Sequence, residues 1–321
     1  MRALLRNRLT SFKMPTQLVV GNPVCIAPVA DLCGEGAVWH PQEQALYWTD
    51  INRFLIHRWD SCSRAVDTWR FSEPVTALTL TTRNDVLLVV LASRVLLWQP
   101  SQNSPTIDAC DNLDFVLPEW PEARCNDARV DPAGVLWIAT MQNNVGASGE
   151  PLPVDRTLGC LLSLDATGTT RKWRTQLHIG NTLAWSPDSR FMYTADTLAD
   201  EIHRYDWNAD SSLGSETLWF KGNSQGLPDG SAMDAEGYLW NCRHGGGCIL
   251  RIDPSGAIER VIAMPIKNPT TCIFGGIDGT TLYVTSAKLE DSDHPLAGGL
   301  FSIETNMRGL PPNRFKLKSD G

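Results

Sequence analysis

Three segments that we expect to be loops ahead of strands carry an acidic or amide side chain next to glycine or proline. Glu35 lies between two glycines, Asn181 follows a glycine, and Asp229 lies between a proline and a glycine. Two carboxylates and one amide supply hard oxygen ligands of the kind that Ca²⁺, Mg²⁺ and Mn²⁺ prefer, with water in the remaining positions. If the fold brings these side chains together, they form a divalent-metal site.

The spacing of these segments favours their convergence. Each precedes the aromatic centre of a predicted strand by 11 or 12 residues, and Asn126-Asp127 lies 10 or 11 residues ahead of another centre, at Trp137. A single acidic or amide residue beside glycine is most often a turn former, but three at one phase of a repeat are harder to explain in that way. Equivalent positions of a ring-closed repeat face its centre, so the phase predicts a metal or polar-ligand site on the axis.

The elements that position these residues follow from an internal repeat. A polar turn and a short strand with a bulky central residue occur six times, and a second alternating strand follows each copy. The first strands are centred on residues 47, 88, 137, 193, 240 and 283, and the second strands are 56–59, 95–98, 161–164, 202–205, 249–252 and 300–303. Steps of about 40–50 residues are typical of four-stranded propeller blades. The sequence therefore predicts an all-β, six-bladed β-propeller with a central metal-binding channel.

We expect residues 15–321 to form this single propeller domain, without linkers. Residues 1–14 contain four basic residues but no apolar run long enough for a signal peptide, so we expect a leader or a frayed N-terminus there. The longest step between strand centres predicts a flexible loop over one face of the propeller at 142–156, which is rich in Asn, Gly, Ser and Pro.

The composition argues against several classes of function. The net charge of −8, without a basic stripe, disfavours a nucleic-acid partner, and no stretch approaches the roughly 18 apolar residues of a membrane span. Nine scattered cysteines without a CxxC pair favour free, mostly buried thiols in a reducing compartment, so we expect a cytoplasmic protein. The six histidines lack HxH or HExxH spacing. His244 is near enough to the channel mouth in the predicted fold to reach it, but we expect it to pack at a strand end.

Five stretches resemble the family of regucalcin (senescence marker protein) and the bacterial gluconolactonases. They are CGEGAVWHPQEQALYWTDI (33–51), RCNDARVDPAGVLWIATM (124–141), GNTLAWSPDSRFMYTADT (180–197), GLPDGSAMDAEGYLW (226–240) and CIFGGIDGTTLYVTSA (272–287). They occur in the same order as in the family and span five of the six predicted blades. The resemblance implies a six-bladed propeller that binds one divalent cation in its channel and hydrolyses sugar lactones.

The resemblance also implies roles for individual residues. Carried over position by position, the metal ligands are Glu35, Asn181 and Asp229, the same three that the phase of the repeat selects. The family's proton donor and acceptor corresponds to Asp229. The substrate-contacting residues of the family match Arg124 and Asn126.

Three positions depart from the family pattern. Cys125 stands where the family often has Phe, and Gly180 stands where Ser often precedes the metal-binding Asn. Asn144 falls where some members place a lid carboxylate, which makes it a third candidate for substrate binding. A neutral amide prefers different hydroxyl or carboxylate patterns from an acidic lid, so this departure bears on the identity of the substrate.

We therefore expect a lactonase that hydrolyses a sugar (aldono)lactone to the sugar acid. One divalent cation (Ca²⁺, Mg²⁺, Mn²⁺ or Zn²⁺) would polarise the lactone carbonyl, and Asp229 would transfer the proton. A propeller that binds a cation or a protein without catalysis is the alternative, and another esterase or a phosphotriester hydrolase that uses the same site is a third.

Overall fold

The computed structural model describes residues 17–100, 111–222, 225–289 and 293–318. Within these ranges the regular structure consists of 25 β-strands. None of the described residues belongs to a helix long and apolar enough to cross a membrane. The predicted leader at 1–14 lies outside the described residues.

Six antiparallel sheets form the blades of a propeller. Blade 1 contains β2 (Gly34–His40), β3 (Ala45–Asp50), β4 (Leu55–Asp60) and β5 (Val66–Arg70). Blade 2 contains β6 (Val75–Thr81), β7 (Leu87–Leu91), β8 (Arg94–Trp98) and β9 (Asp111–Val116), and blade 3 contains β10 (Ala123–Val130), β11 (Leu136–Gln142), β12 (Gly159–Leu164) and β13 (Thr170–Leu177). Blade 4 contains β14 (Gly180–Trp185), β15 (Phe191–Asp196), β16 (Glu201–Trp207) and β17 (Leu213–Lys221), and blade 5 contains β18 (Leu227–Met233), β19 (Leu239–His244), β20 (Cys248–Ile252) and β21 (Ile258–Ala263).

The sixth blade closes the ring with strands from both ends of the chain. It contains β22 (Pro269–Gly275), β23 (Thr281–Ser286) and β24 (Leu300–Glu304), and β1 (Val24–Ala27) pairs with β24 as its outermost strand. A short strand near the C-terminus, β25 (Arg314–Phe315), adds in parallel to β6. The chain therefore closes on itself, and the six-bladed propeller predicted from the repeat is confirmed.

The repeated turn and aromatic residue have a common structural cause in two blades. A buried aspartate carboxylate of the turn accepts a hydrogen bond from the indole Nε1–H of the tryptophan in the second strand. These pairs are Asp131 with Trp137 and Asp234 with Trp240, both at 3.0 Å. A buried carboxylate without partners is costly, so the polar turn and the strand centre are coupled in the sequence.

Apolar side chains fill the space between neighbouring blades. Val90 of blade 2, for example, packs in one buried cluster with Ala128 and Ile138 of blade 3. All eight described cysteines are free, and five of them are buried, as predicted for thiols that pack as small apolar side chains.

Each innermost strand carries a register irregularity on the side of the channel where the strand begins. The irregularities lie between Glu35 and Val38, Val75 and Ala77, Cys125 and Asp127, Asn181 and Ala184, Pro228 and Ser231, and Pro269 and Cys272. A β-bulge re-aims the side chains beside it. Six bulges at one level of a ring therefore present a set of side chains to the axis.

The bulges correct one prediction. We expected Glu35, Asn181 and Asp229 in loops ahead of the strands, but each lies inside the innermost strand of its blade. Two causes hide these strands in the sequence. They are buried on both faces, so they lack apolar–polar alternation, and the bulge breaks the period that remains.

A long connection between β11 and β12 covers one face of the propeller, and we call residues 143–158 the arch. Its base is fixed by Gln142, whose side chain accepts hydrogen bonds from the amides of Asp155 and Arg156 at 3.0 and 2.7 Å. Its far end reaches blade 1, where Asn52 Nδ2 donates to the Gly149 carbonyl at 2.8 Å. The loop predicted over one face is thus a hydrogen-bonded span from blade 3 to blade 1.

Candidate active site

The bulges of three blades bring together the three side chains that the repeat selected. Asp229 is buried in β18, and the amide of Asn181 in β14 donates a hydrogen bond to its carboxylate. Glu35 in β2 lies close enough to Asp229 for each carboxylate to disfavour ionisation of the other. The three residues come from blades 1, 4 and 5, so only the closed ring places them side by side.

The environment of Asp229 favours its protonated form. Burial and the nearby Asp127 carboxylate raise the pKa of Asp229 to about 8. The Asn181 hydrogen bond, the Gly230 amide and Arg243 favour the charged form and offset part of this rise. The backbone is held independently, since Asn241 Nδ2 donates to the Asp229 carbonyl at 3.0 Å. Asp229 is thus a fixed carboxyl group that titrates near neutral pH.

Glu35 is subject to the same forces. Burial raises the pKa of Glu35 well above its ordinary value, and the charges of Asp229 and Asp127 raise it further. Its Oε2 accepts a hydrogen bond from the Gly36 amide at 3.0 Å, which together with Arg129 partly offsets these effects. The positive groups near Glu35 and Asp229 are therefore too few to keep the pKa values of these two carboxyl groups at their ordinary level.

Asp127 adds a third carboxylate to this region. Burial raises its pKa, and its Oδ2 is buried without a hydrogen-bond partner among the described residues. Arg129 offsets part of the charge, with Nη1 donating to the Ala37 carbonyl at 3.0 Å and Nη2 to Thr271 Oγ1 at 3.3 Å. An apolar cavity of about 280 Å³ lies at the opposite end of the channel from these carboxylates. Among the described residues that line it, Arg129 alone is charged.

The donor set fits a divalent cation. No three His, Cys, Asp or Glu side chains in the described ranges are spaced as a metal site by themselves. The candidate donors are the carboxylates of Glu35 and Asp229 and the amide oxygen of Asn181. Oxygen donors of this kind suit Ca²⁺, Mg²⁺ and Mn²⁺, and a cation between these carboxylates would relieve the repulsion that raises their pKa values.

The three residues expected to bind substrate form one hydrogen-bonded unit. Arg124 is buried, and its Nε donates to Asn144 Oδ1 while Nη1 donates to Asn126 Oδ1, both at 2.8 Å. Asn126 Nδ2 donates in turn to the carbonyl of Gly180 at 3.0 Å, next to Asn181. Burial lowers the pKa of Arg124 to about 10, so the guanidinium stays charged at neutral pH.

One residue at the site was assigned another role from the sequence. His244, expected to pack at a strand end, has Nδ1 3.7 Å from Asp229 Oδ2 and is half-buried. The signal was its position at the end of β19, which pairs with β18 so that His244 lies opposite Leu227, two residues before Asp229. That position can be recognised only when the pairing of β18 with β19 is known, and the sequence did not reveal β18 as a strand.

Close packing explains two of the glycines beside the acidic residues. A Cβ atom on Gly230 would lie 2.1 Å from Thr271 Oγ1 of the next blade, and one on Gly36 would lie 2.7 Å from Ala77 Cα. Gly36 also has φ of +58°, which favours glycine. These glycines let neighbouring innermost strands approach at the level of Asp229 and Glu35.

Known proteins share this fold and this sequence. The family model described as the SMP-30/Gluconolactonase/LRE-like region matches residues 33–288. The 6-deoxy-6-sulfogluconolactonase of Pseudomonas putida is 33% identical in an alignment of 302 residues that covers 91% of this chain and 97% of that protein. Regucalcin of Xenopus laevis is 30% identical in an alignment of 300 residues, with the same coverage of 91% of this chain and 97% of the relative.

A solved structure shows the same architecture. Regucalcin of Agrobacterium tumefaciens, described as a calcium-binding protein, superposes with a TM-score of 0.82 at 24% identity, covering 91% of this chain and 97% of that one. The family model and the relatives each extend over most of the chain. This protein belongs to the SMP-30/gluconolactonase/LRE-like family.

Proposed function

We propose that this protein hydrolyses a sugar (aldono)lactone to the sugar acid, with one divalent cation bound in the channel. The observation that carries the proposal is the convergence of Glu35, Asn181 and Asp229 at the bulges of three blades, beside the hydrogen-bonded Arg124 and Asn126. Membership of a gluconolactonase-like family supports it. So does a relative that is named as a sulfogluconolactonase.

The residues assigned to the cation are Glu35, Asn181 and Asp229. When bound, the cation supplies positive charge that stabilises the lactone carbonyl oxygen as this atom becomes anionic. Ca²⁺, Mg²⁺, Mn²⁺ and Zn²⁺ all accept oxygen ligands. A relative described as calcium-binding makes Ca²⁺ the first ion to test.

We assign proton transfer to Asp229. Hydrolysis forms a bond between the water oxygen and the carbonyl carbon, breaks the bond from that carbon to the ring oxygen, and moves one proton from the water to the leaving ring oxygen. A carboxylate held beside the reacting bond can accept the proton from the water and donate it to the ring oxygen, and Asp229 is a buried carboxyl group at the centre of the candidate site. The hydrogen bond from Asn181 favours the charged form of this carboxyl group.

Substrate orientation falls to Arg124, Asn126 and Asn144. Their mutual hydrogen bonds hold the guanidinium plane at the edge of the channel. Its remaining N–H groups can donate to hydroxyl or carbonyl oxygens of the lactone, and an amide offers both a donor and an acceptor to a sugar hydroxyl. A group held in place before binding loses little entropy when the substrate arrives.

A panel of aldonolactones tests the proposal. Hydrolysis is followed with a pH indicator, for protein treated with EDTA and for the same protein with Ca²⁺, Mg²⁺, Mn²⁺ or Zn²⁺ restored. We expect turnover of at least one aldonolactone, loss of that turnover after chelation, and recovery with a divalent cation. Full activity after exhaustive chelation would contradict the metal mechanism.

The same panel separates the alternatives. A phenyl ester and a phosphotriester are included beside the lactones. Turnover of these without turnover of lactones would favour another esterase or a phosphotriester hydrolase. No turnover of any substrate, together with divalent-cation binding measured by calorimetry, would favour a propeller that binds without catalysis.

A further inference from the structure

A second cavity of about 600 Å³ lies under the arch, beside the candidate active site. The connection from blade 1 to blade 2 contributes the segment 72–74, and blade 2 contributes Arg94. The arch contributes Asn143, the segment 145–147 and Leu152. Two aromatic residues complete the lining, Phe54 from the turn between β3 and β4 and Trp120 from the connection between blades 2 and 3. The volume lies within the range of roughly 300–1,000 Å³ that is usual for small-molecule sites.

Two connections join this cavity to the candidate active site. Asn143, which lines the cavity, precedes Asn144, whose side chain accepts the hydrogen bond from Arg124. On the opposite wall, the carbonyl of Pro74 accepts the Ala92 amide at 2.9 Å, and the Ala92 carbonyl accepts the amide of Cys125 at 2.8 Å. The cavity therefore borders the strand that carries Arg124 and Asn126.

One aromatic residue of the lining, Phe54, has a strained backbone conformation. Phe54 has φ of +60°, a left-handed conformation that is costly for a bulky residue. The equivalent last residue of the hairpin turn is Asp200 in blade 4 and Gly247 in blade 5, both also left-handed, and these are residue types that accept it readily. A phenylalanine at this turn position in blade 1 indicates a functional role for its ring, because strain of this kind concentrates at functional sites.

The lining has the chemistry that sugars bind. Trp120 is 36% exposed and offers a flat apolar face for the C–H groups of a pyranose ring. Arg94 Nη2 lies 2.7 Å from Glu73 Oε1, and Ser93 Oγ donates to Glu73 at 2.9 Å, so planar donors and acceptors stand side by side. This ion pair has no net charge, which disfavours an anionic substituent and suits neutral hydroxyl groups.

We infer that the cavity under the arch binds a second sugar ring, joined by a glycosidic bond to the lactone ring at the candidate active site. The inference rests on the proposed function and narrows its substrate class to lactones of disaccharide acids. The lactone ring lies at the channel with its carbonyl toward Asp229, and the second ring extends past Asn144 between Trp120 and Phe54. Arg94 and Glu73 bind the hydroxyl groups of that second ring.

Steady-state kinetics on two lactones tests this substrate class. Cellobiono-1,5-lactone and glucono-1,5-lactone are compared for the wild-type protein and for the Trp120→Ala and Phe54→Gly variants. We expect the wild type to have the higher kcat/KM for the disaccharide lactone. Each variant should lower the ratio of the two kcat/KM values by about tenfold, mainly through KM, as expected for loss of one aromatic contact.

The strain at Phe54 supplies a second readout. Phe54→Gly relieves a left-handed residue, so its thermal unfolding midpoint should stay level or rise while its preference for the disaccharide lactone falls. Gln44→Gly is the matched control, because Gln44 has φ of +50° in another turn of the same blade, outside the cavity lining. We expect Gln44→Gly to leave the ratio of the two kcat/KM values unchanged.

Binding separates failure of this inference from failure of the proposed function. Calorimetry with cellobionic acid should show binding to the wild-type protein and at least about tenfold weaker binding to Trp120→Ala. That result without turnover of either lactone would uphold the sugar site and overturn the lactonase. Hydrolysis of the monosaccharide lactone with no preference for the disaccharide lactone, or an equal effect of Trp120→Ala on both, would overturn the inference.

Discussion

The side-chain amide of Asn181 donates hydrogen bonds to two partners, the Asp229 carboxylate of the next blade and Thr197 Oγ1 at 3.1 Å. The Nδ2 group of the amide is directed toward these partners, which leaves its carbonyl oxygen as the candidate donor for a cation. The relationship couples the orientation of one candidate ligand to the protonation of the other. It also crosses between blades 4 and 5, so it reports on closure of the ring at the site.

Asn181→Ala should therefore weaken divalent-cation binding and lactone turnover together. The variant removes one oxygen donor and one hydrogen bond to a charged group, and we expect a loss of about ten- to hundredfold in cation affinity. Isothermal titration calorimetry with Ca²⁺ measures the affinity, and the lactone assay measures the turnover. Asn208→Ala, which removes an exposed amide that bonds Ser212, is the control and should change neither quantity.

Replacement of Asp229 by asparagine should separate catalysis from folding. Loss of the proton-transfer group is expected to lower kcat by about 10²–10⁴-fold. The metal-free fold should become more stable, because the variant removes a buried carboxyl group that Asp127 and Glu35 repel when it is charged. Circular dichroism melts in EDTA measure the stability, and Asp206→Asn, which replaces an exposed carboxylate of β16, is the control. Retention of more than about a tenth of wild-type kcat would exclude Asp229 as the proton-transfer group.

The raised pKa of Asp229 predicts a pH dependence of the metal-free protein. The folded protein holds this proton up to a pH of about 8, whereas the unfolded chain releases it near pH 4. Between these values the folded state binds more protons, so its free energy of unfolding falls as the pH rises. Glu35, whose pKa is also raised, acts in the same direction.

Thermal unfolding in EDTA at pH 5, 6, 7 and 8 measures this dependence. The midpoint should decrease across the series, and Asp229→Asn should flatten the decrease. Saturating Ca²⁺ should raise the midpoint more at pH 8 than at pH 5, because the cation competes with protons for the same carboxylates. A midpoint that rises from pH 5 to pH 8 in EDTA would contradict the raised pKa values.

Much of the architecture could be predicted from the sequence, because a polar turn and a bulky central residue mark the second strand of each blade and an alternating third strand follows it. The phase of that repeat also selected Glu35, Asn181 and Asp229, which the structure brings together. The innermost strands could not be predicted, because burial on both faces and the bulges remove the alternation. The approach of His244 to Asp229 depends on the pairing of one such strand, β18, with β19.

The cavity under the arch could not be predicted from the sequence either. The arch is held by contacts between residues far apart in the chain, such as Asn52 with Gly149, and no local pattern specifies them. The position of Phe54 in a left-handed turn had no signal either, since a phenylalanine beside a predicted strand reads as a core residue. The cavity under the arch and the position of Phe54 therefore depend on non-local contacts and backbone strain, which only the structure shows.

The hydrogen bond from Arg124 to Asn144 predicts how the arch affects substrate binding. Asn144→Asp places a negative charge on the acceptor, which draws the guanidinium toward the arch and weakens its contact with the substrate. We expect KM for the best lactone to rise by about three- to tenfold with little change in kcat, the pattern of lost uniform binding. Asn143→Asp is a poor control because Asn143 lines the neighbouring cavity, so Asn313→Asp, remote from the site, serves instead. A change confined to kcat would place Asn144 in the chemical step.

Gly230→Ala tests whether the approach of blades 5 and 6 positions Asp229. The new Cβ atom would lie 2.1 Å from Thr271 Oγ1 and 2.8 Å from Thr271 Cα, so β18 must move away from β22. We expect a destabilisation of about 1–3 kcal/mol, as for other insertions into packed interiors, and weaker Ca²⁺ binding because Asp229 moves with the strand. Gly245→Ala is the control: Gly245 has φ of +74° but open space around its Cβ position, so it should lose only about 1 kcal/mol from backbone strain. Urea unfolding and calorimetry measure both variants, and equal Ca²⁺ affinity of Gly230→Ala and wild type would show that the strand spacing does not set the site.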